Sequence, residues 1–322
     1  IIRVAIPDTL SNQPRLVVIT QKHLRQESIT KEFNIPLQDS YIDLRFLPEG
    51  GNLVAGIEQR IGFNATNRKG ETLNIEGVLK SATGKVLDTI RSSKYGPGIF
   101  VCIPEEGMYV DIIKGLADNK RWPLPTDCSS GLCLSVRPIN SSSFAVEVQS
   151  NSNKSEDLFI AGTMDATLLF SQNFTLTKKK RFVVKTDELP SGVAQLTLFS
   201  KDMKPIAERL FCINSDKHLR YNIIMDSSTY KPGQETKLSI SVSDGLGNPV
   251  EGIFSMAIVD SISGINPEIF TPGIEYTLNY HPYLLRNLPP KVLIRGIENL
   301  TDSERDLLFL VYGWKKYTWD FN

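Results

Sequence analysis

The residues able to do chemistry are few and scattered. His23, His218 and His281 lie far apart, with no His-x-x-x-His spacing and no carboxylate beside them. Metal sites and general bases need such groups gathered, so each reads as a surface histidine. No nucleophile elbow, phosphate loop or dinucleotide fingerprint occurs. Asp260-Ser261 reads as a strand end and Asp302-Ser303 as a helix cap rather than as nucleophiles. Nothing in the spacing of Asp and Glu points to a glycosidase pair. Cys102 and Cys212 sit inside apolar strand patterns and read as buried free thiols. Cys128 and Cys133 flank a Ser-Ser-Gly-Leu loop that can close a small disulfide, and their spacing is not that of a zinc or thioredoxin motif. Glu49, between Pro48 and Gly50-Gly51, is either a ligand carboxylate or a cap for backbone N–H groups of its own turn, and the turn role is favoured. The basic run Lys178-Lys179-Lys180-Arg181 falls at a hairpin end and reads as a solvated face. The expectation is no catalytic residue, no cofactor-binding residue, no metal ligand and no enzyme.

Bulk properties agree. The chain has 322 residues, 41% hydrophobic and 22% charged, with 36 basic and 36 acidic side chains. A zero balance argues against nucleic acid or an anionic membrane as partner. The longest apolar run, residues 307–312, is too short to span a bilayer. No signal peptide is visible and residue 1 is Ile, so the sequence reads as a fragment or a processed product. Asn-x-Ser/Thr sites occur at Asn64, Asn140, Asn153, Asn173 and Asn299; a secreted eukaryotic source would make them surface acceptors.

The elements behind these residues are strands. Leu238, Ile240 and Val242 alternate with Ser239, Ser241 and Ser243, a strand with one buried face. Asp244, Gly245, Gly247, Asn248 and Pro249 form a turn. A return strand is expected from Val250, with Phe254, Met256 and Ile258 on one face and Ile253, Ala257 and Val259 on the other. A copy begins at Ile61, Phe63 and Ala65. There Asn67 matches Asp244, Gly70 matches Gly247 and Leu73 matches Val250, and the chain leaves on Leu73, Ile75 and Leu79. Such repetition points to repeated domains.

Four segments follow. Residues 1–38 are a partial β module or arm, too short for a sheet domain of their own. Val4, Ile6, Leu16 and Val18 echo the spacing of Val146, Val148, Leu158 and Ile160. Residues 39–125 form a β-sandwich with turns every 8–12 residues, closed by a proline-rich linker around Trp122-Pro123-Leu124-Pro125. Residues 126–216 form a second sandwich. Residues 217–322 form a third module with an irregular insert at 265–290. Its helix has a capping box, Thr301 to Glu304, apolar residues at 307, 308, 310, 311 and 314, and a Gly313 stop. That helix is expected to pack on the third module. The fold class is all-β: tandem antiparallel Ig-like sandwiches with a short C-terminal helix.

Several of these stretches resemble the macroglobulin-like domains of α2-macroglobulin-type proteins. They are Phe46-Leu47-Pro48-Glu49-Gly50-Gly51, the run from Leu189-Pro190-Ser191-Gly192-Val193 to Phe199, Pro205-Ile206-Ala207-Glu208-Arg209-Leu210, and the hairpin from Tyr230-Lys231-Pro232-Gly233 through Asp244 and Val250 to Val259-Asp260-Ser261. Tyr312-Gly313-Trp314-Lys315-Lys316-Tyr317-Thr318-Trp319 is similar to a sequence following such domains in large envelope proteins of Bacteroidetes-type bacteria. There, carboxypeptidase-regulatory-like and TonB-receptor plug-like regions come next. The resemblance implies tandem macroglobulin-like sandwiches and a periplasmic or cell-surface, outer-membrane-associated setting. It also implies a non-catalytic spacer or docking rod whose partners are other domains of the same or a partner envelope protein. The family's Cys-Gly-Glu-Gln thioester is missing, because the four cysteines are followed by Ile, Ser, Leu and Ile. Two alternatives stand beside this. One is a protease-interaction module cleaved in the 265–290 loop. The other is a glycan-binding accessory domain using Tyr276, Tyr280, Tyr283 and Trp122.

Overall fold

The computed structural model describes residues 15–21, 28–34, 41–115, 120–125, 131–214, 217, 219–244, 247–253, 256, 276–284 and 288–317. Cys128, His23, His218, Val4, Ile6, Asp260 and most of the 265–290 insert lie outside them. β1 (Arg15–Gln21) and β2 (Ser28–Asn34) pair as an antiparallel ribbon.

The first module runs through β3 (Asp43–Pro48), β4 (Gln59–Thr66), β5 (Thr72–Leu73), β6 (Glu76–Lys80), β7 (Val86–Arg91), β8 (Gly98–Cys102), β9 (Tyr109–Lys114) and β10 (Arg121–Pro123). One sheet has β4 at its centre, flanked by β3, β5 and β8; the other has the order β10-β9-β6-β7. Phe63, Ile61, Leu79, Ile90 and Val110 fill the space between them. The expected linker at Trp122 is instead strand: β10 pairs with β9, and Trp122 is buried in this core. Pro123 sits on an edge strand, where its missing N–H breaks no ladder. The expected continuous strand from Leu73 to Leu79 splits into two. β5 pairs with β4, whereas β6 joins the opposite sheet.

The second module runs through β11 (Leu132–Asn140), β12 (Ser143–Ser150), β13 (Glu156–Met164), β14 (Thr167–Leu176), β15 (Lys179–Lys185), β16 (Gly192–Ser200) and β17 (Pro205–Ile213). Its sheets are β11-β12-β15 and β14-β13-β16-β17. Leu134, Val148, Ile160, Leu196 and Leu198 form its core. The basic run does not end a hairpin. β14 pairs with β13 and β15 with β12, so the connection crosses from one sheet to the other. Phe174 and Phe182 meet edge-to-face, ring centroids 4.9 Å apart, from strands that belong to different sheets.

β18 (Arg220–Met225) and β19 (Leu238–Ser243) form a second ribbon. Tyr221 lies opposite Val242, Ile223 opposite Ile240 and Met225 opposite Leu238, so one face is apolar. The expectation that this face is buried is not met: Ile240 is 44% exposed and Tyr221 76%. The expected return strand is absent from residues 250–253; among the described residues it is reduced to one bridge between Ser243 and Pro249, made by the Val250 N–H to the Val242 carbonyl and the Asp244 N–H to the Asn248 carbonyl. The turn itself is as expected. The Gly247 N–H reaches the Asp244 carbonyl and the Asn248 N–H reaches the Asp244 side chain, as Gly70 and Glu71 do with Asn67. Gly247 and Gly70 have φ of +89° and +78°, where a Cβ would crowd the carbonyl. The same geometry recurs at Ser200, with Met203 at φ +59° in the glycine position.

Two helices close the described chain, α1 (Pro290–Arg295) and α2 (Asp302–Tyr312). Both halves of the Thr301–Glu304 capping box are formed, and Gly313 is the C-cap. The helix packs on residues of its own module, Tyr280, Leu288, Val292, Ile297 and Leu300, and also, beyond the expectation, on the two sandwiches. Its buried residues Leu308, Phe309 and Val311 share a cluster with Leu47 of the first module and with Val193 and Leu210 of the second. It lies against β17 and β4, in the angle between the two sandwiches.

Candidate functional site at the junction of two modules

Five charged side chains from four distant parts of the chain meet at α2. β3 ends at Pro48, whose carbonyl accepts the Gly51 N–H at 3.0 Å and so folds the Pro-Glu-Gly-Gly turn. The turn delivers Glu49 into the second module, where the side chain is 2% exposed. Its carboxylate accepts from Arg209 Nε at 3.0 Å, Arg137 Nη1 at 2.6 Å and the Val136 N–H at 3.3 Å. Arg60 of β4 lies 3.7 Å away. Neither role expected of Glu49 is the observed one. It caps no N–H of its own turn and faces no open cleft; it ties β3 to β11 and β17.

Asp306 of α2 completes the cluster. It receives Arg60 Nη2 at 2.5 Å and is also bonded by Arg209 Nη2. Burial pushes the Asp306 carboxyl up, but Arg209 and Arg60 outweigh it and hold the group below the ordinary carboxylate range. Burial likewise lowers Arg209, and Asp306 with Glu49 more than restores it, so its guanidinium stays charged. Three arginines and two carboxylates leave one net positive charge, carried toward solvent by Arg137, whose side chain is 43% exposed. A buried charge without a partner costs several kcal/mol; here each has at least one.

The two glycines after Glu49 have steric reasons. Gly50, at φ +81°, would place a Cβ 2.6 Å from the Leu134 carbonyl oxygen of β11. Gly51, at φ +96°, would place one 2.6 Å from the Lys315 carbonyl oxygen. Both neighbours are backbone and cannot yield cheaply. The segment after α2 is therefore the counterpart of this turn. Trp314 Nε1 donates to the Pro48 carbonyl at 2.7 Å, and Lys315 Nζ lies 2.8 Å from Glu208. Tyr317 donates its hydroxyl to the same Glu208 carboxylate, which also receives Gln195 Nε2 at 2.8 Å. Burial and Glu208 both push the Tyr317 phenol above its usual range. At the other end of the helix, Lys94 Nζ sits 2.6 Å from Glu304. With Lys94 and the Thr301 N–H beside it, the Glu304 carboxyl drops to about 2.

Beside the charge cluster is a cavity of about 530 Å³ between Arg60, the Phe144 and Phe211 rings, Cys212 and the α2 residues Ser303 and Asp306. Its groups are poorly suited to acid–base or nucleophilic work. Asp306 is held ionised by two arginines, and burial pushes the Cys212 thiol up to about 12. Cys102 and Cys212 are free thiols as expected, half-buried rather than fully so, with Cys102 pushed up to about 11 by burial. Among the described residues no three His, Cys, Asp or Glu side chains gather as a metal site would require. His281 is exposed and meets the Tyr276 ring edge-to-face at 5.9 Å.

The aromatic platform does not assemble. Trp122 lies in the first core, Tyr280 is 5% exposed under α2, and the Tyr283 hydroxyl bonds Asp165 at 2.6 Å. The described part of the 265–290 insert, residues 276–284 and 288–290, is thus anchored to the rest of the chain through Tyr280, Tyr283 and Leu288. Asn64 is buried and so is no surface acceptor. Arg137, Arg209, Glu208 and Asp306 were not legible as a site from local spacing. The available signal was Glu208-Arg209 inside the apolar run from Ile206 to Phe211, since two adjacent charges within a buried strand require partners.

No protein-family model matches this sequence, and no curated protein does. Among solved structures, the native conformation of E. coli alpha-2-macroglobulin is similar over 73% of this chain and 20% of that one, at 12% identity and TM-score 0.23. Salmonella alpha-2-macroglobulin reacted with methylamine is similar over 71% and 20%, at 12% identity and TM-score 0.24. A tetra-tandem repeat in the extending region of a large adhesion protein is similar over 71% and 63%, at 11% identity and TM-score 0.25. The chain spans about 20% of the alpha-2-macroglobulin chains. Likeness at this level carries no activity or partner across.

Proposed function

We propose that this chain is a non-catalytic spacer and docking rod of a bacterial cell-envelope protein, periplasmic or on the cell surface. Its partners are other domains of the same or a neighbouring envelope protein. The observation that supports this is the junction. Its most buried charges, Glu49 and Arg209, bond to each other and to neighbours on three segments, so they fix two sandwiches and a helix in one arrangement. Ionisable groups held this way resist motion and are poorly placed to exchange protons with a substrate. The envelope setting is supported by the resemblance of the Tyr312–Trp319 sequence to one that follows macroglobulin-like domains in large envelope proteins.

Backbone ¹⁵N relaxation of the purified chain tests the rod. Amides of β4 and β13 should fit one rotational diffusion tensor; two independent tensors contradict a rigid spacer. Turnover of peptides or glycans at enzyme-like rates contradicts the non-catalytic half. Recovery of the full-length protein from the cytosolic fraction of its source cells contradicts the setting.

A further inference from the structure

We propose that the open flank of the second module, between its edge strands β14 and β15, takes up an extended acidic peptide as an added strand. β15 is the outer strand of one sheet and β14 the outer strand of the other. The connection between them crosses from sheet to sheet, so both edges border the same flank. Between them lies a cavity of about 270 Å³, reaching Val146 and Ile160 of the core and walled by Phe170 and Phe182. The sandwich is thus unsealed on this side. An edge strand leaves alternate backbone N–H and C=O groups without ladder partners. Val183 and Leu168 on the two edges are 61% and 58% exposed.

The charge on this flank selects the occupant. Lys179 is paired with Glu147 at 2.8 Å. Lys180, Arg181 and Lys185 are exposed and have no ion pair among the described residues. Three unpaired cations on one seven-residue edge repel a second copy of the same edge, which blunts self-association. They attract a strand of opposite sign. Strand addition draws affinity from main-chain bonds and specificity from alternate side chains. The fitting partner is an extended segment with acidic residues at alternate positions and a large apolar residue to enter the gap beside Phe182. This names a partner class for the docking role proposed above. It uses a surface separate from the junction, so it can fail while the rigid spacer stands.

The probe is a fluorescein-labelled, blocked heptapeptide, Glu-Val-Glu-Phe-Glu-Val-Glu, titrated with the full chain and followed by anisotropy. Saturable binding is expected, at least about tenfold tighter than heptaglutamate or the Lys-for-Glu peptide. Methylating alternate peptide nitrogens should weaken it by about tenfold or more, because strand pairing needs those N–H groups. Lys180→Glu with Arg181→Glu, both exposed, should melt like the parent, lose the acidic peptide and bind the lysine one. No saturable binding overturns the proposal. So does equal binding of heptaglutamate or of the N-methylated peptide, which marks a charge-only surface for polyanions. The N-methyl comparison needs no variant and decides the matter even if the double substitution unfolds.

Discussion

Glu49→Gln isolates the charge on which the junction turns. The amide nearly preserves shape but offers one acceptor oxygen and one NH₂ in place of two acceptor oxygens. Glu49 uses both oxygens, Oε1 for Arg209 Nε at 3.0 Å and Oε2 for Arg137 Nη1 at 2.6 Å. Whichever way the amide turns, an NH₂ faces a guanidinium N–H. Arg209 remains 3% exposed and keeps only Asp306 as a full counter-charge. Removing one partner of a buried pair costs about 3–5 kcal/mol. The retained acceptor and the partial exposure of Arg137 place the substitution at the lower end, about 3 kcal/mol. For a cooperative unit of this size that is a fall in Tm of about 6–12 °C. Arg209→Met should cost a similar amount, and the double variant clearly less than the sum, with a coupling of at least about 2 kcal/mol by chemical denaturation. A Glu49→Gln effect within about 0.5 kcal/mol, the range of an ordinary surface change, or an additive cycle would refute the reasoning.

Other outcomes follow from the same geometry. Trp314→Phe keeps an aromatic ring but removes the Nε1 donor to the Pro48 carbonyl and part of the indole's packing, and should lower unfolding free energy by about 1 kcal/mol or more. Met203, at φ +59° and 57% exposed, has more backbone strain to relieve than packing to lose on Met203→Gly, which should stabilise by about 0.5–1 kcal/mol. Gly247→Val, at φ +89°, should destabilise its turn by about 1 kcal/mol or more, read from faster hydrogen exchange of β19 amides. Folded-state pKa values of Glu304 (about 2) and Asp306 lie below their unfolded values. Their stabilisation is therefore complete above the ordinary carboxylate range and is lost as pH falls toward 2. Glu304→Gln with Asp306→Asn should flatten the stability profile between about pH 4 and 2; an unchanged slope there would show that these groups do not drive acid unfolding.

Local structure was legible in the sequence wherever one face of an element is decided by its own residues. The alternation of Phe144, Val146 and Val148 gave β12, the Gly-Val-Ala run after Pro190 gave β16, and the capping box gave α2. The turn at Asn67 and its copy at Asp244 were readable because side-chain bonds and a positive φ are properties of a few adjacent residues. What the alternation does not contain is the identity of the opposing surface. Phe174 and Phe182 look alike whether their strands pair or face each other across a core, so the crossing between β14 and β15 was missed. The apolar face of α2 fits any apolar surface, and only the fold shows that it covers Leu47 and Leu210. The junction was hidden for the same reason: Glu49 and Arg209 are 160 residues apart, and Arg60 and Asp306 are 246. The Ile240 face misled in the opposite direction, since a good amphipathic pattern does not guarantee that something lies on it.

The central claim is that β4, β17 and α2 are locked into a single cooperative unit through Glu49, Arg209 and Asp306. Native-state hydrogen exchange in increasing denaturant measures this directly. Slow amides of all three elements should merge on one opening free energy and fall together in Glu49→Gln. If α2 opens at much lower free energy, and β4 and β17 keep their own unequal values unchanged by Glu49→Gln, the sandwiches are independent beads and the lock does not exist.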